Sequence, residues 1–472
     1  MRRDKSRIGG IIKTFFYLVL FAVIIGGVVF FIPRFEWYPP TVNLKLDSNF
    51  IGLRPFSVEV KDKGSGLKRV SVVINEGGTE YPFIEEDYSM PVKEKNITIA
   101  LDPKKVGIKE GPATISITAI DRSLWRFFRG NKTTVIKNVT IDVTPPRLEV
   151  AGREYYINFG GSGLVIYKAS SDTVKSGVKV GDYFFPGYKG YFKDPNIYLA
   201  FFAYPYNVSP DARPVVVAED EAGNSKEVGF SYRLKYKKYR ESTLNISDDF
   251  IERKAAPILG GNSSQTGDLK DIFLKVNRDI RQKNEAEIKK ICVNSKNTIL
   301  WNGAFHQLTN SKVEANFADY RTYVYKGEVI DHQYHLGYDL AVTEKSPIEA
   351  ANDGVIVFAD DLGIYGNAVI IDHGFGISTL YAHMSSIGVR VGDTVKKKQI
   401  IGRTGETGLA AGDHLHYAVL IQGVPVLPTE WWDEKWINDK ILTRIKEAEE
   451  EFSTQNAQSG SIEQSPYQGK VQ

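Results

Sequence analysis

Residues 335–341 read HLGYDLA and residues 412–419 read GDHLHYAV. Each segment sets metal-competent side chains at short, even spacing: His335 and Asp339 in H-x-x-x-D, His414 and His416 in H-x-H. Alternate residues of a strand share a face. If both segments are strands, His335 and Asp339 point the same way, and so do His414 and His416, so four polar groups can converge. Three neutral or anionic N/O ligands and one open position are what catalytic zinc requires, whereas a structural zinc takes a fourth protein ligand, often cysteine. The single cysteine, Cys292, falls outside the pattern. Two histidines and a carboxylate also suit Fe(II) or Mn, and residue type alone leaves that choice open. Histidine is scarce, at seven residues in 472, yet six lie between His332 and His416.

Around these segments the chain reads as strands. VIVFAD (355–360), NAVIIDH (367–373) and ISTLYAH (377–383) are separated by glycine-containing turns, the last two forming a hairpin about Gly374-Phe375-Gly376, and HYAVLIQ (416–422) is another strand. After Pro428, Trp431, Trp432 and Trp436 open an amphipathic helix with Ile437, Ile441 and Ile445. Residues 453–472 are rich in Ser, Gln and Gly and are expected to be disordered.

Upstream, Leu269, Ile272, Phe273, Val276 and Ile280 recur at helical spacing, and Asn284 with Glu287 reads as a capping box opening a second short helix. GGNSSQTG (260–267) is linker-like. From Val42 to about Tyr236 short β-branched runs alternate with turn residues, and Pro39-Pro40 and Pro145-Pro146 mark two units, each about the size of one immunoglobulin-like sandwich. Their simplest role is a spacer, with wall or partner binding as the alternative. Thr14–Ile32 carries no charge, approaches the length that spans a bilayer as a helix, and is stopped by Pro33. Its basic flank puts residues 1–13 in the cytoplasm and the rest of the chain outside. Arg2, Arg3, Lys5, Arg7 and Lys13 account for more than the whole net charge of +3. The remainder is near neutral and lacks the spread basic surface of a nucleic-acid binder.

The stretch from His335 to Pro428 resembles the lysostaphin-like (LytM-type) zinc endopeptidases, which cut peptide bonds in bacterial peptidoglycan. The matching segments are HLGYDLA, SPIEAANDGVIVFA (346–359), YGNAVIIDHGFG (365–376), TLYAHM (379–384), VRVGDTVKKKQIIGRTGETG (389–408) and GDHLHYAV. The resemblance implies that His335, Asp339 and His416 ligate Zn2+, and that His383 and His414 are the catalytic pair handling protons and the oxyanion. It also implies peptidoglycan cross-links as substrate and cell-wall or division proteins as candidate partners. Family members often carry Glu where this chain has Ala418, which puts the surroundings of the metal in question rather than the metal itself. Some relatives have lost ligands and act as non-catalytic activators of other wall hydrolases; none is lost here.

The expected architecture is mainly β and multidomain: 1–13 cytoplasmic tail, 14–33 transmembrane anchor, 34–144 and 145–236 β-sandwich modules, 237–300 helical linker, 301–430 peptidase domain, 431–452 amphipathic helix, 453–472 tail. The placement is the bacterial cytoplasmic membrane, single-pass, with the bulk of the chain on the extracytoplasmic side. His373 reads as structural or cleft-wall, His332 as a rim residue at most, and His306 as a surface or packing residue. Gly402, Gly405 and Gly408 imitate a dinucleotide loop, but no helix pattern follows them. Lys396-Lys397-Lys398 reads as a solvated turn. Neither a G-x-S-x-G elbow nor a cysteine near the histidines points to covalent catalysis.

Overall fold

A computed structural model describes residues 4–152, 154–260 and 268–462. The chain is mainly β and divides into two compact units, Met1–Pro146 with Glu219–Ser225, and Arg147–Ala218 with Lys226–Gln472.

The first unit begins with the helix Asp4–Phe31. Its segment Lys13–Phe31 has a mean hydropathy of 2.6 and none of it is buried, so it is long and apolar enough to cross a membrane. The helix starts before the apolar run, so the basic flank from Lys5 is helical too. Pro33, in the 3-10 turn Ile32–Arg34, closes it. Beyond it, a three-stranded sheet (Thr41–Lys45, Phe56–Lys61, Glu94–Ile99) and a five-stranded sheet (Phe50–Ile51, Leu67–Glu76, Thr79–Val92, Gly111–Asp121, Lys132–Ile141) bury their alternate residues in one core. Phe56, Val58 and Val60 come from one sheet, and Val72, Ile74, Ile115 and Ile117 from the other.

In the second unit, the β-rich segment that starts at Arg147 and the domain carrying the histidines share a single hydrophobic core. The strand Ile197–Ala203 shows why, because all seven residues are buried. One face packs within its own segment; on the other, Phe201 meets Trp431 with ring centroids 6.1 Å apart. A strand covered on both faces loses the alternating pattern of a half-exposed one. This segment is therefore built into the same core as the domain that carries the histidines.

The central antiparallel sheet runs in the order Lys312–Ala315, Tyr338–Ala341, Leu415–Ile421, Ile377–Ala382, Asn367–Gly374, Gly354–Asp361, Thr394–Val395, with Val424–Val426 also pairing with Leu415–Ile421. Val369, Ile371, Tyr381, Tyr417, Val419 and Ile421 join the core shared with residues 147–216. Their neighbours Ala368, Ile370, Leu380, Ala382, Ala418 and Leu420 enter a second layer beneath Phe273, Val276 and Ile288 of a long helix. Double-sided burial explains the unbroken apolar runs NAVIIDH and HYAVLIQ.

That long helix spans Leu269–Cys292 without a break, with a π-helical turn at Lys275–Ile280. The expected cap at Asn284 does not form. Its side chain instead accepts a hydrogen bond from the Ile364 backbone N–H at 3.0 Å, 80 residues away. The helical linker also contains a strand, Glu241–Ile246, which pairs in parallel with Tyr320–Tyr325. Tyr320–Tyr325 pairs in turn with Glu328–Tyr334, giving a three-stranded sheet beside the central one. At the C-terminus, Ile437, Ile441 and Ile445 are buried, as their spacing anticipated. The helix Thr443–Ile462 extends into the stretch expected to be disordered. Residues 261–267, most of the linker-like GGNSSQTG, and 463–472 lie outside the described residues.

Glu430 ties the two parts of the second unit together. It is 5% exposed and accepts from Asn158 Nδ2 and the Ser162 backbone N–H, both at 2.7 Å, with no cation in ion-pair range among the described residues. Burial pushes its pKa up to about 7 against these hydrogen bonds. A carboxyl whose folded pKa is raised stabilises the fold below its unfolded pKa, and that contribution is lost as pH rises toward 7. The parent should therefore lose on the order of 2–3 kcal/mol between pH 5 and pH 8 relative to Glu430→Gln. Thermal melts of both proteins at the two pH values check this; a difference independent of pH would refute it.

Candidate metal centre and active-site cleft

Three adjacent strands bring the donors together. Asp339 on Tyr338–Ala341 pairs directly with His416 on Leu415–Ile421, and His416 pairs with Ala382 on its other side. His335 and His414 both precede their strands instead of lying in them. Alternation along a strand thus accounts for Asp339 and His416, while loop geometry delivers the other two. His335 reaches the cluster because Asn316 O accepts from its Nδ1 at 2.9 Å. A carbonyl only accepts, so Nδ1 carries the proton and Nε2 is left as a donor atom for the centre.

His335 Nε2 stands 2.8 Å from Asp339 Oδ1 and 3.0 Å from His416 Nδ1, and His416 Nδ1 stands 3.0 Å from the same Oδ1. A tetrahedral zinc with bonds of about 2.0–2.2 Å spaces its ligand atoms by roughly 3.4 Å, so a small outward movement would admit one. Two imidazoles and a carboxylate suit zinc in donor chemistry as well. Burial would raise the Asp339 pKa, but the charge of His335 and hydrogen bonds from His335, His414 and His416 hold it well below the usual carboxylate range. Burial depresses His416 to about 4, which keeps its imidazole neutral, as a metal ligand must be.

His383 and His414 flank this cluster. Strand alternation would turn His383 away, because its neighbour Ala382 already faces the helix-covered layer. A left-handed φ of 63° breaks the alternation and swings the ring back. His383 Nδ1 is committed to Thr407 O and His414 Nδ1 to Gly412 O, each at 2.8 Å, so His383 keeps Nε2 free, while His414 Nε2 lies 3.4 Å from Asp339 Oδ1. Their centroids are 4.9 Å apart. Burial, then the neighbouring histidines, lowers the His383 pKa well below its ordinary value. For His414, burial pulls down, but the hydrogen bond and charge of Asp339 outweigh it and the net direction is up.

The other histidines lie elsewhere. His373 is buried, with Nδ1 against Asp353 O at 2.7 Å and Nε2 against Thr379 Oγ1 at 2.8 Å, and burial lowers its pKa to about 4. His332 stacks on Tyr320 and His306 meets Glu349.

A cleft of about 600 Å³ opens over the cluster. Much of its wall comes from residues before His335: Thr243, Asn245, Phe250, Arg281, Glu314 and Arg321. Arg321 was invisible in the sequence. Its Nη2 donates to Asp339 Oδ2 at 3.0 Å, so one oxygen of this carboxylate faces the histidines while the other is held aside. Ala418 also finds its reason here. It is 1% exposed in the layer beneath the long helix, where a Glu would be buried among apolar groups.

Residues 333–428 match Peptidase family M23. This segment is an M23 peptidase domain. The M23 domain is 46% identical over 94 residues to the DD-carboxypeptidase/endopeptidase Mpg of Neisseria meningitidis, covering 20% of this chain and 22% of that protein. It is 36% identical over 115 residues to the peptidoglycan DD-endopeptidase ShyA of Vibrio cholerae, covering 24% and 26%. The chain thus spans about a quarter of the length of these curated relatives. Among solved structures, the catalytic domain of the antimicrobial peptidase lysostaphin from Staphylococcus simulans aligns with 28% of this chain and 98% of its own, at 28% identity and a TM-score of 0.24. Arg281, Arg321 and the strand Glu241–Ile246 precede the matched segment, so part of the cleft wall lies outside it.

Gly337 marks the tightest point. A Cβ there would stand 2.6 Å from both His416 Nε2 and the Tyr417 carbonyl oxygen. The backbone cannot retreat, so the His416 ring must move. Gly337→Ala should cost about 1–3 kcal/mol and lower the content of tightly bound divalent metal. Melting temperature and elemental analysis check this; parental values for both would refute it.

Proposed function

We propose that this protein is a zinc-dependent endopeptidase that hydrolyses peptide bonds in peptidoglycan, held outside the cytoplasmic membrane by its N-terminal helix. The observation that carries the reading is the convergence of His335, Asp339 and His416 with two further histidines, His383 and His414, that line the same cleft. The M23 domain, and relatives named for peptidoglycan endopeptidase activity, support the substrate class. The exposed apolar helix with its basic flank supports the anchor.

His335 Nε2, Asp339 Oδ1 and His416 Nδ1 would hold the metal. Bound there, zinc supplies Lewis acidity and lowers the pKa of a coordinated water. His383, kept neutral by burial and with Nδ1–H spent on Thr407 O, is suited to take a proton at Nε2. His414, whose proton affinity Asp339 raises, is suited to present Nε2–H to negative charge developing on the scissile carbonyl. Arg321 holds Asp339 in place, and the apolar wall around Phe250, Ile364 and Leu409 limits water in the cleft. The intact donor set favours this reading over that of a non-catalytic activator.

The roles separate by experiment. In detergent-solubilised full chain, His416→Ala and Asp339→Asn should lose bound zinc and stop fragment release from purified sacculi. His383→Ala should keep about one zinc and lose roughly 10²–10⁴ in kcat. Elemental analysis and mass spectrometry of the products read both. Undiminished cleavage by His416→Ala, or by chelated parent, would end the proposal.

A further inference from the structure

The cleft holds a second guanidinium, and among the described residues it makes no ion pair. Arg281 lies on the long helix, upstream of the M23 domain, and lines the same cleft as the donor cluster. The π-helical turn Lys275–Ile280 just before it changes the phase of the helix, a feature often found at functional sites. There Asn277 is fully buried. Its Nδ2 donates to Asp331 Oδ2 at 2.8 Å, its Oδ1 accepts from Arg281 Nη2 at 2.7 Å, and its backbone carbonyl accepts from Arg281 Nε at 3.1 Å. A buried amide thus grips the guanidinium at two points and fixes its direction.

The nearby acids are accounted for. Asp331 is paired with Arg278 Nε at 2.9 Å and with Asn277. Asp339 is taken by Arg321 and the histidines. Glu285, one turn further along the helix, feels the charge of Arg281, which opposes the upward pull of burial on its pKa, but it is not within ion-pair distance. Among the described residues Arg281 therefore carries a pinned positive charge with no anionic partner within 4 Å. Tyr365 relates it to the reaction centre: its phenol feels the charges of both Glu285 and Arg281, and its ring centroid lies 5.6 Å from that of His416. A guanidinium fork that is already oriented takes a carboxylate in two parallel hydrogen bonds. In a cleft that takes peptides, the anionic groups on offer are carboxylates.

We infer that Arg281 is a specificity-determining residue that binds a free carboxylate of the substrate peptide beside the scissile bond. This rests on the peptidase reading above. The carboxylate can come from a side chain or from a peptide C-terminus, and the test separates the two.

The probes are a synthetic cross-linked stem peptide with both carboxylates free, the same peptide amidated at the side-chain carboxylate, and the same peptide amidated at the C-terminus. Full chain in detergent is assayed as parent, Arg281→Gln, Arg281→Lys and Lys283→Gln, the last an exposed control on the same helix. For the free peptide, Arg281→Gln should raise KM about 10–100-fold with kcat little changed. Arg281→Lys should fall between, since it keeps the charge but loses the fork. Whichever amidation raises the parent's KM to the level of the variant, and leaves the variant unaffected, identifies the carboxylate. Equilibrium binding of the same peptides with an N-methylated scissile bond is measured in parallel. Parent that binds with the carboxylate preference but hydrolyses nothing would end the peptidase reading and leave Arg281 its role. Equal affinity of parent and Arg281→Gln for free and amidated peptides would overturn the inference.

Discussion

Asp339 is the point on which the site depends. One of its oxygens is shared among three imidazoles and the other is held by Arg321, so a single half-buried carboxylate orients four groups from three segments of the chain. Removing one partner of such a network leaves the rest buried and uncompensated, which makes its members more interdependent than their separate hydrogen bonds suggest. The network is affordable because it sits where the sheet ends. Further along the same strands both faces are closed by apolar layers, and the polar groups are gathered at the strand ends, where the long helix gives way to a cleft.

The sequence disclosed part of this in proportion to how local the signal was. H-x-x-x-D and H-x-H name four of the five groups at the centre, and the pairing of Asp339 with His416 follows from strands of the expected kind. Alternation accounts for those two residues but not for His335 and His414, which precede their strands. His383 lay in a recognisable segment, but its left-handed backbone is what brings it to the site, and no residue type announces that. Asn284 shows the opposite failure. Its spacing to Glu287 satisfies a capping box, yet packing against the central sheet keeps the helix unbroken and turns the side chain to a distant backbone amide. Arg321 and Arg281 gave no signal, because it is the fold that brings Arg321 to Asp339 and sets Arg281 on the wall of the cleft.

The segments outside the M23 domain do more than carry it. The β-rich segment from Arg147 and the domain share one core, so neither is complete without the other. The strand Glu241–Ile246 and Arg281 of the long helix line the cleft together with the donors. Ala418 lies in the apolar layer beneath that helix. Once a helix covers this face, an apolar side chain fits better there than a charge.

The parallel pairing of Glu241–Ile246 with Tyr320–Tyr325 has a kinetic consequence. It joins residues roughly 80 positions apart, and the pairing of Asp339 with His416 spans a similar distance. Contacts between remote parts of a chain bear the entropy of closing large loops and form slowly. The helix and the local hairpins can form early, but the cleft and its donors must wait for the last long-range pairings. For a chain that emerges N-terminus first, the donor set is incomplete until His416 has left the exit channel and found its strand.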